Sequence, residues 1–349
     1  MHKRIMPGWY EQRVLRYEQM RFDQEPRRSK LPFEWGLEHL GGDPSDPAPA
    51  AAMQRLVDDA IAHSDEWYAA PPADDYALED GVLTFTSALA SPWRENNRVY
   101  GQLFRAGSSG PAVVVLAQWN SRWEEQQSVC RWLNKLGITA VKMSLPYHDR
   151  RAIPGHPRAD HLVGPNVGLT IQANRQAVLD VRRTLRWLES QGYDHLGILG
   201  TSIGSSIGFI TMCHEPAVRA AAFLHASTYF GDVVAAGLTT KNVWEQIEPA
   251  ASLDEIRRYW MPISPFPYIH KLRGSGKKLF AIAGRYDPTF PPALTQALFD
   301  KMQQEGAAFE KLWLPCGHYS LGVAPFSYVA GYRFGRFLAR ALNGATRGG

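Results

Sequence analysis

The sequence predicts an α/β protein: a mostly parallel, twisted sheet with helices on both faces, opened by an antiparallel hairpin. It adds a helical N-terminal extension and one insertion. Two observations carry this expectation. Short apolar runs alternate with helical stretches from residue 112 to about 342, the pattern of parallel strands joined by helical crossovers. Ahead of them, residues 82–86 and 98–104 alternate in polarity, as a half-buried antiparallel pair does.

Residues 8–22 have a helical pattern with Trp9, Val14, Tyr17 and Met20 on one side. A Pro/Gly-rich connector covers 26–50. A second helix is expected over 51–68, with Met53, Leu56, Val57, Ala60 and Ile61 on one face and Pro71-Pro72 ending it. Residues 1–79 are thus expected to be a helical extension, and 80–349 the α/β unit. In that unit strands are expected at 112–117, 138–145, 196–199, 218–224, 278–283 and 309–314. Helices are expected at 123–136, 171–190, after residue 202, at 291–304 and at 324–342. Ile171, Val178, Val181, Leu185 and Leu188 stripe the long helix, and Gly192 stops it. A polar surface loop at 146–170 and an insertion at 227–276 interrupt the alternation. Both follow strand C-terminal ends, the ligand side of an open α/β sheet.

The chain has 349 residues, 45% hydrophobic and 21% charged, and a net charge of +4, ordinary for a globular protein. Basic residues near the N-terminus (Arg13, Arg16, Arg21, Arg27, Arg28, Lys30) are interleaved with Glu11, Glu18, Asp23 and Glu25. That reads as a solvated helix face and argues against a nucleic-acid partner. Three widely spaced cysteines, Cys130, Cys213 and Cys316, form no C-x-x-C, so a disulfide framework or zinc site is not expected. The first ten residues lack a signal-peptide core, and no run approaches the ~18 apolar residues of a membrane span. A cytoplasmic location is the expectation.

Gly200-Thr201-Ser202-Ile203-Gly204 joins an apolar run to a small-residue helix start. G-x-S-x-G between strand and helix is the nucleophile-elbow pattern: a tight, strained turn lifts the serine hydroxyl off the sheet. Bulkier residues at Gly200 or Gly204 would collide with the neighbouring strand or helix. No Gly-Lys-Ser/Thr follows, which excludes a Walker loop, and the glycine spacing does not fit a dinucleotide fingerprint.

A serine nucleophile needs a base, and the base a carboxylate to orient it. Asp287, in Gly284-Arg285-Tyr286-Asp287-Pro288, and His318, in Pro315-Cys316-Gly317-His318-Tyr319, each follow their own strand. Other readings stay open for each: Asp287 as a cap for the helix near Pro291, His318 as a loop histidine. His148, His214 and His225 are rival bases, with His225 the best placed. A metal set of His148, Asp149, His156, Asp160 and His161 is conceivable; an ordered surface loop is the favoured reading. For the oxyanion hole, the backbone N–H groups of Ile203 and Trp119 are the candidates by position, with Asn120 as a second choice to Trp119. The common His-Gly pair is replaced here by Ala117-Gln118.

On these residues the chain resembles the α/β-hydrolase superfamily over residues 80–342, with the family's chain order Ser202…Asp287…His318. Trp187-Leu188-Glu189-Ser190-Gln191-Gly192-Tyr193, leading through Leu196-Gly197 to the elbow, is similar to an esterase-like subgroup. That subgroup has an N-terminal extension and is loosely related to dienelactone-hydrolase-type members. The resemblance implies Ser202 as nucleophile, His318 as base and Asp287 as orienter. The expected activity is hydrolysis of a carboxylic ester or related acyl compound through an acyl-enzyme, with no cofactor and no metal. An amidase, peptidase or acyltransferase with the same residues, or a silent binding protein, are the alternatives. The partner expected is a small-molecule acyl substrate. Candidate substrate contacts are Trp123, Arg150, Arg151, Trp244 and Trp260, with 227–276 as a lid; the rings read equally well as lid core, and the arginines as solvated. The N-terminal helices could make a homo-oligomer interface.

Overall fold

The computed structural model describes residues 8–26, 30–156 and 158–343. Arg27 and Arg28 of the interleaved basic run, and residues 1–7 of the N-terminal stretch, lie outside the described residues.

The chain begins with helix α1 (Trp9–Asp23). Its inward face is not the expected apolar one: Val14 and Glu18 are buried, whereas Trp9 is 76% and Met20 46% exposed. The expected helix over 51–68 is two, α2 (Pro49–Ala62) and α3 (Ser64–Trp67), because His63 leaves helical geometry at φ −110, ψ 36. Ala52, Met53, Val57 and Ala60 of α2 are buried.

The sheet follows. It contains β1 (Ala77–Glu79), β2 (Val82–Thr86), β3 (Arg98–Phe104), β4 (Pro111–Leu116), β5 (Thr139–Met143), β6 (His195–Thr201), β7 (Val218–Leu224), β8 (Lys278–Gly284) and β9 (Phe309–Leu314). Spatial order is β1-β2-β3-β5-β4-β6-β7-β8-β9. The β1/β2, β2/β3 and β3/β5 pairs are antiparallel, and every later pair is parallel. The short strand β1 has no counterpart in the expected hairpin.

Helices α4 (Gln127–Lys135), α5 (Val167–Ser190) and α6 (Ile203–His214) form the first crossovers. The insertion supplies α7 (Phe230–Ala236), α8 (Lys241–Ile247) and α9 (Leu253–Tyr259); α10 (Pro292–Gln304) and α11 (Phe326–Asn343) complete the chain. The side-chain alternation of β4 feeds two cores. Val113 and Val115 pack with Cys130 and Leu133 of α4 and Phe334, Phe337 and Leu338 of α11. Ala112, Val114 and Leu116 pack on the other face with α5 and α6. No helix of the described residues is long and apolar enough to cross a membrane.

The 146–170 stretch is not the polar surface loop its composition suggests. Tyr147, His148, Arg151, Ala159 and Leu162 are all buried, and α5 begins within it. The first free N–H groups of α5 are taken up from outside the helix. Val167 and Gly168 donate to the carbonyls of Glu34 and Trp35 (2.9 Å each), and Asn166 Oδ1 caps Leu169 N–H (2.8 Å).

Candidate active site

Strand order reverses at β4: the chain steps to β5 on one side, then returns through α5 to β6 on the other. This switch point opens a crevice beyond the strand ends, and Ser202 stands in it. Its φ of 57 and ψ of −122 lie where a non-glycine residue persists only if its surroundings hold it. They do: Ser202 N–H donates to Leu224 O of β7 (2.8 Å), and Ser202 O accepts from Ser205 N–H (2.8 Å). The flanking glycines are steric necessities. A Cβ on Gly200 would lie 2.4 Å from Gly204 O, and one on Gly204 2.5 Å from Leu116 O.

Beyond β8, Asp287 divides its carboxylate. Oδ1 accepts the N–H groups of Thr289 and Phe290 (2.8 Å each), shaping the turn as a short acidic side chain does. Oδ2 accepts His318 Nδ1–H at 3.1 Å. The capping and orienting readings of Asp287 are therefore served by different oxygens. Beyond β9, His318 presents Nε2 to Ser202, whose Oγ–H donates to it at 3.1 Å. With Nδ1 protonated by its bond to the carboxylate, Nε2 is the free acceptor.

Electrostatics set the three apart. Burial works to lower the His318 pKa, but Asp287 opposite it, with further help from Glu18 and Glu25, carries the net shift above the ordinary histidine value. Burial pushes the Asp287 carboxyl up, yet the facing His318 and His225 rings hold it well below the usual range. His225 is buried and sits with Nδ1 2.6 Å from Asp287 Oδ2, off the line of a hydrogen bond. It thus has the carboxylate neighbour that its sequence context did not suggest, while the imidazole on Ser202 belongs to His318. His214 is buried between Tyr68 and Tyr268, and burial lowers it to about 4.

Ile203 opens α6 directly after Ser202, so its N–H is among the helix's first, which have no intrahelical acceptor. Trp119 lies beyond β4, and its indole N–H donates to Ala159 O (2.9 Å). Asn120 is no second oxyanion donor through its main chain: its N–H donates to His148 Nε2 (2.8 Å).

A cleft of about 1080 Å³ opens over Ser202. Trp119, Tyr229, Phe230 and Phe290 give it aromatic walls, and Tyr17 and Glu25 of the N-terminal segment close one side. The five expected substrate contacts do not line it. Arg151 is fully buried, ion-paired with Asp180 (2.9 Å) and donating to Asn96 O and Ser144 O. Arg150 stacks on Trp123, its guanidinium 4.6 Å from the ring, which occupies both. Trp260 is fully buried, 5.3 Å from Phe230, and Trp244 packs against the same core. From the insertion, Tyr229, Phe230, Val233, Val234, Thr239, Thr240 and Pro265 supply cleft positions instead. The apolar Phe230, Val233 and Val234 are the sequence signal for this wall, whereas the insertion's larger tryptophans pack away from it.

His148, Asp149, His156, Asp160 and His161 do not converge on a metal position. Among the described residues, the group of His, Cys, Asp and Glu side chains close enough to share an ion is His225, Asp287 and His318.

No family model matches the chain, and no curated protein matches it by sequence. Solved structures do match it in shape. Acetyl xylan esterase 1 from Thermoanaerobacterium sp. JW/SL YS485 superposes with a TM-score of 0.60 at 14% identity, covering 81% of this chain and 93% of that one. Acetyl xylan esterase from Paenibacillus sp. R4 gives 0.56 at 15% identity, over 91% and 98%. Pyrococcus horikoshii acylaminoacyl peptidase gives 0.57 at 13% identity, over 76% of this chain and 42% of that one.

Proposed function

The chain has the α/β-hydrolase fold, and on that fold we propose that it is a serine hydrolase cleaving carboxylic esters of small acyl compounds. The observation that carries this reading is the hydrogen-bonded line Asp287 Oδ2–His318–Ser202 Oγ, 3.1 Å at each step, ending on a serine strained to φ 57. Ser202 Oγ attacks the ester carbonyl while His318 Nε2 takes its proton. Asp287 stabilises the imidazolium and fixes the ring. The N–H groups of Ile203 and Trp119 hold the oxyanion. His318 then returns the proton to the leaving alcohol, leaving an acyl-enzyme. Water, deprotonated by His318, releases the acid and restores Ser202.

The esterases among the structural likenesses support the ester reading; the peptidase among them keeps amides in the test. A fluorophosphonate probe should label the wild type and not Ser202→Ala, whose kcat should fall about a millionfold. Equal labelling of both would remove Ser202 from the role. p-Nitrophenyl esters of graded chain length, run beside aryl amides, separate ester from amide cleavage.

A further inference from the structure

Helix α1 lies outside the strand–helix alternation that builds the sheet, yet it reaches the loop that carries His318. Glu18 of α1 is fully buried. One of its carboxylate oxygens accepts Tyr319 N–H (2.7 Å); the other accepts Ser320 N–H (2.9 Å) and the Ser320 hydroxyl (2.7 Å). Ser320 Oγ in turn accepts Gly317 N–H (2.7 Å). The residues on both sides of His318 are therefore tied to one carboxylate. Gly317 is what admits it, since a Cβ there would lie 2.5 Å from Glu18 Oε1. Two more bonds seat the N-terminal segment: Tyr10 Oη–H of α1 donates to Pro315 O (2.7 Å), and Tyr319 Oη–H to Glu25 Oε1 just past the helix (2.6 Å).

A buried carboxylate is costly unless hydrogen bonds compensate it. Among the described residues no lysine, arginine or histidine forms a salt bridge with Glu18, and its three bonds all go to this one loop. Such charge-assisted bonds are short and strong. Their direction matters as much as their strength. Both loop N–H groups point at α1, while the ring of His318, on the same loop, bonds Asp287 and Ser202.

We propose that Glu18 is a positioning residue for His318, an inference that rests on the serine-hydrolase reading. It fixes the 317–320 loop so that one imidazole meets both Asp287 and Ser202, and its charge favours the imidazolium formed during the reaction. The N-terminal extension is then part of the active site.

The test is steady-state hydrolysis of p-nitrophenyl acetate across pH by the full chain, with fluorophosphonate labelling alongside. In Glu18→Gln the amide sets an N–H against a loop N–H and removes the charge. The expected result is a kcat fall of about a hundredfold with KM little changed. The acid limb of kcat/KM should move to lower pH, because withdrawing an anion disfavours the imidazolium. Ser320→Ala keeps the charge but loosens the loop, so its kcat falls less, about tenfold, and its acid limb stays in place. If near-UV circular dichroism shows that Glu18→Gln does not fold, Ser320→Ala decides by its kcat against an unchanged KM. Wild-type kcat in both variants, or a wild-type acid limb in Glu18→Gln, with the wild type labelled and active, overturns the role of Glu18 alone. A wild type neither labelled nor active overturns the serine-hydrolase reading, and this inference with it.

Discussion

His148 and His318 each lie beyond the C-terminal end of a parallel strand, β5 and β9, and both line the cleft, yet their surroundings are opposite. His318 faces Asp287, with Glu18 and Glu25 nearby, and its pKa is raised. His148 has no carboxylate among its influences. Burial lowers it to about 4, and the charges of Arg151 and Lys142 push the same way. Both its nitrogens are spent on the backbone: Nδ1–H donates to Pro146 O (2.8 Å), and Nε2 accepts Asn120 N–H (2.8 Å). One histidine stands between a carboxylate and a serine hydroxyl. The other is a neutral strut that holds the loop carrying Trp119. A histidine at a strand end becomes a base by the carboxylate set against it, a fact of the fold rather than of the residue.

The comparison is broken most severely at Asp287. Asp287→Asn keeps an oxygen for Thr289 and Phe290 but removes the charge facing His318, so kcat should fall about 10⁴-fold. The base must be neutral to act, so wild-type kcat/KM rises as pH passes upward through the His318 pKa, above the ordinary histidine value. In Asp287→Asn that limb should move to lower pH; a limb that stays put would separate Asp287 from the titration.

Arg151 tests the other region. Arg151→Met leaves Asp180 buried without its partner and should cost about 3–5 kcal/mol in urea unfolding. Residual activity on neutral and anionic esters should change alike. A selective loss on anionic esters would return Arg151 to substrate binding.

The smallest effect belongs to His148. His148→Phe removes the acceptor of Asn120 N–H and frees the 118–120 loop, lowering kcat about tenfold through the oxyanion donor. Because His148 is already neutral at working pH, the acid limb should not move.

Legibility followed the range of the interactions. The elbow was readable because its constraint is local: strand, glycine, serine, glycine and helix are contiguous, and the Gly200 and Gly204 contacts arise within the turn or against β4. Asp287 and His318 were readable because each sits just past an apolar run, and strand ends converge in a parallel sheet. The substrate contacts were not. Composition flags Trp123, Trp260 and Arg151 as large or charged, but the packing around each decides whether it faces a cleft, a neighbouring ring or a buried Asp180. Glu18 reads as one acid in a solvated, mixed-charge helix, since nothing in residues 9–23 records the loop 302 positions away that needs its oxygens.

What the sequence alone determined is the chain order and type of the sheet's elements from β2 onward and the candidate chemistry at their ends, because hydrophobic period and turn chemistry act between near neighbours. The tertiary structure decided which histidine meets the serine, which arginine is structural, and that the first helix bonds the loop carrying His318. Those outcomes depend on charges and hydrogen-bond donors brought together across the chain, where burial removes water and leaves only the partners the fold supplies.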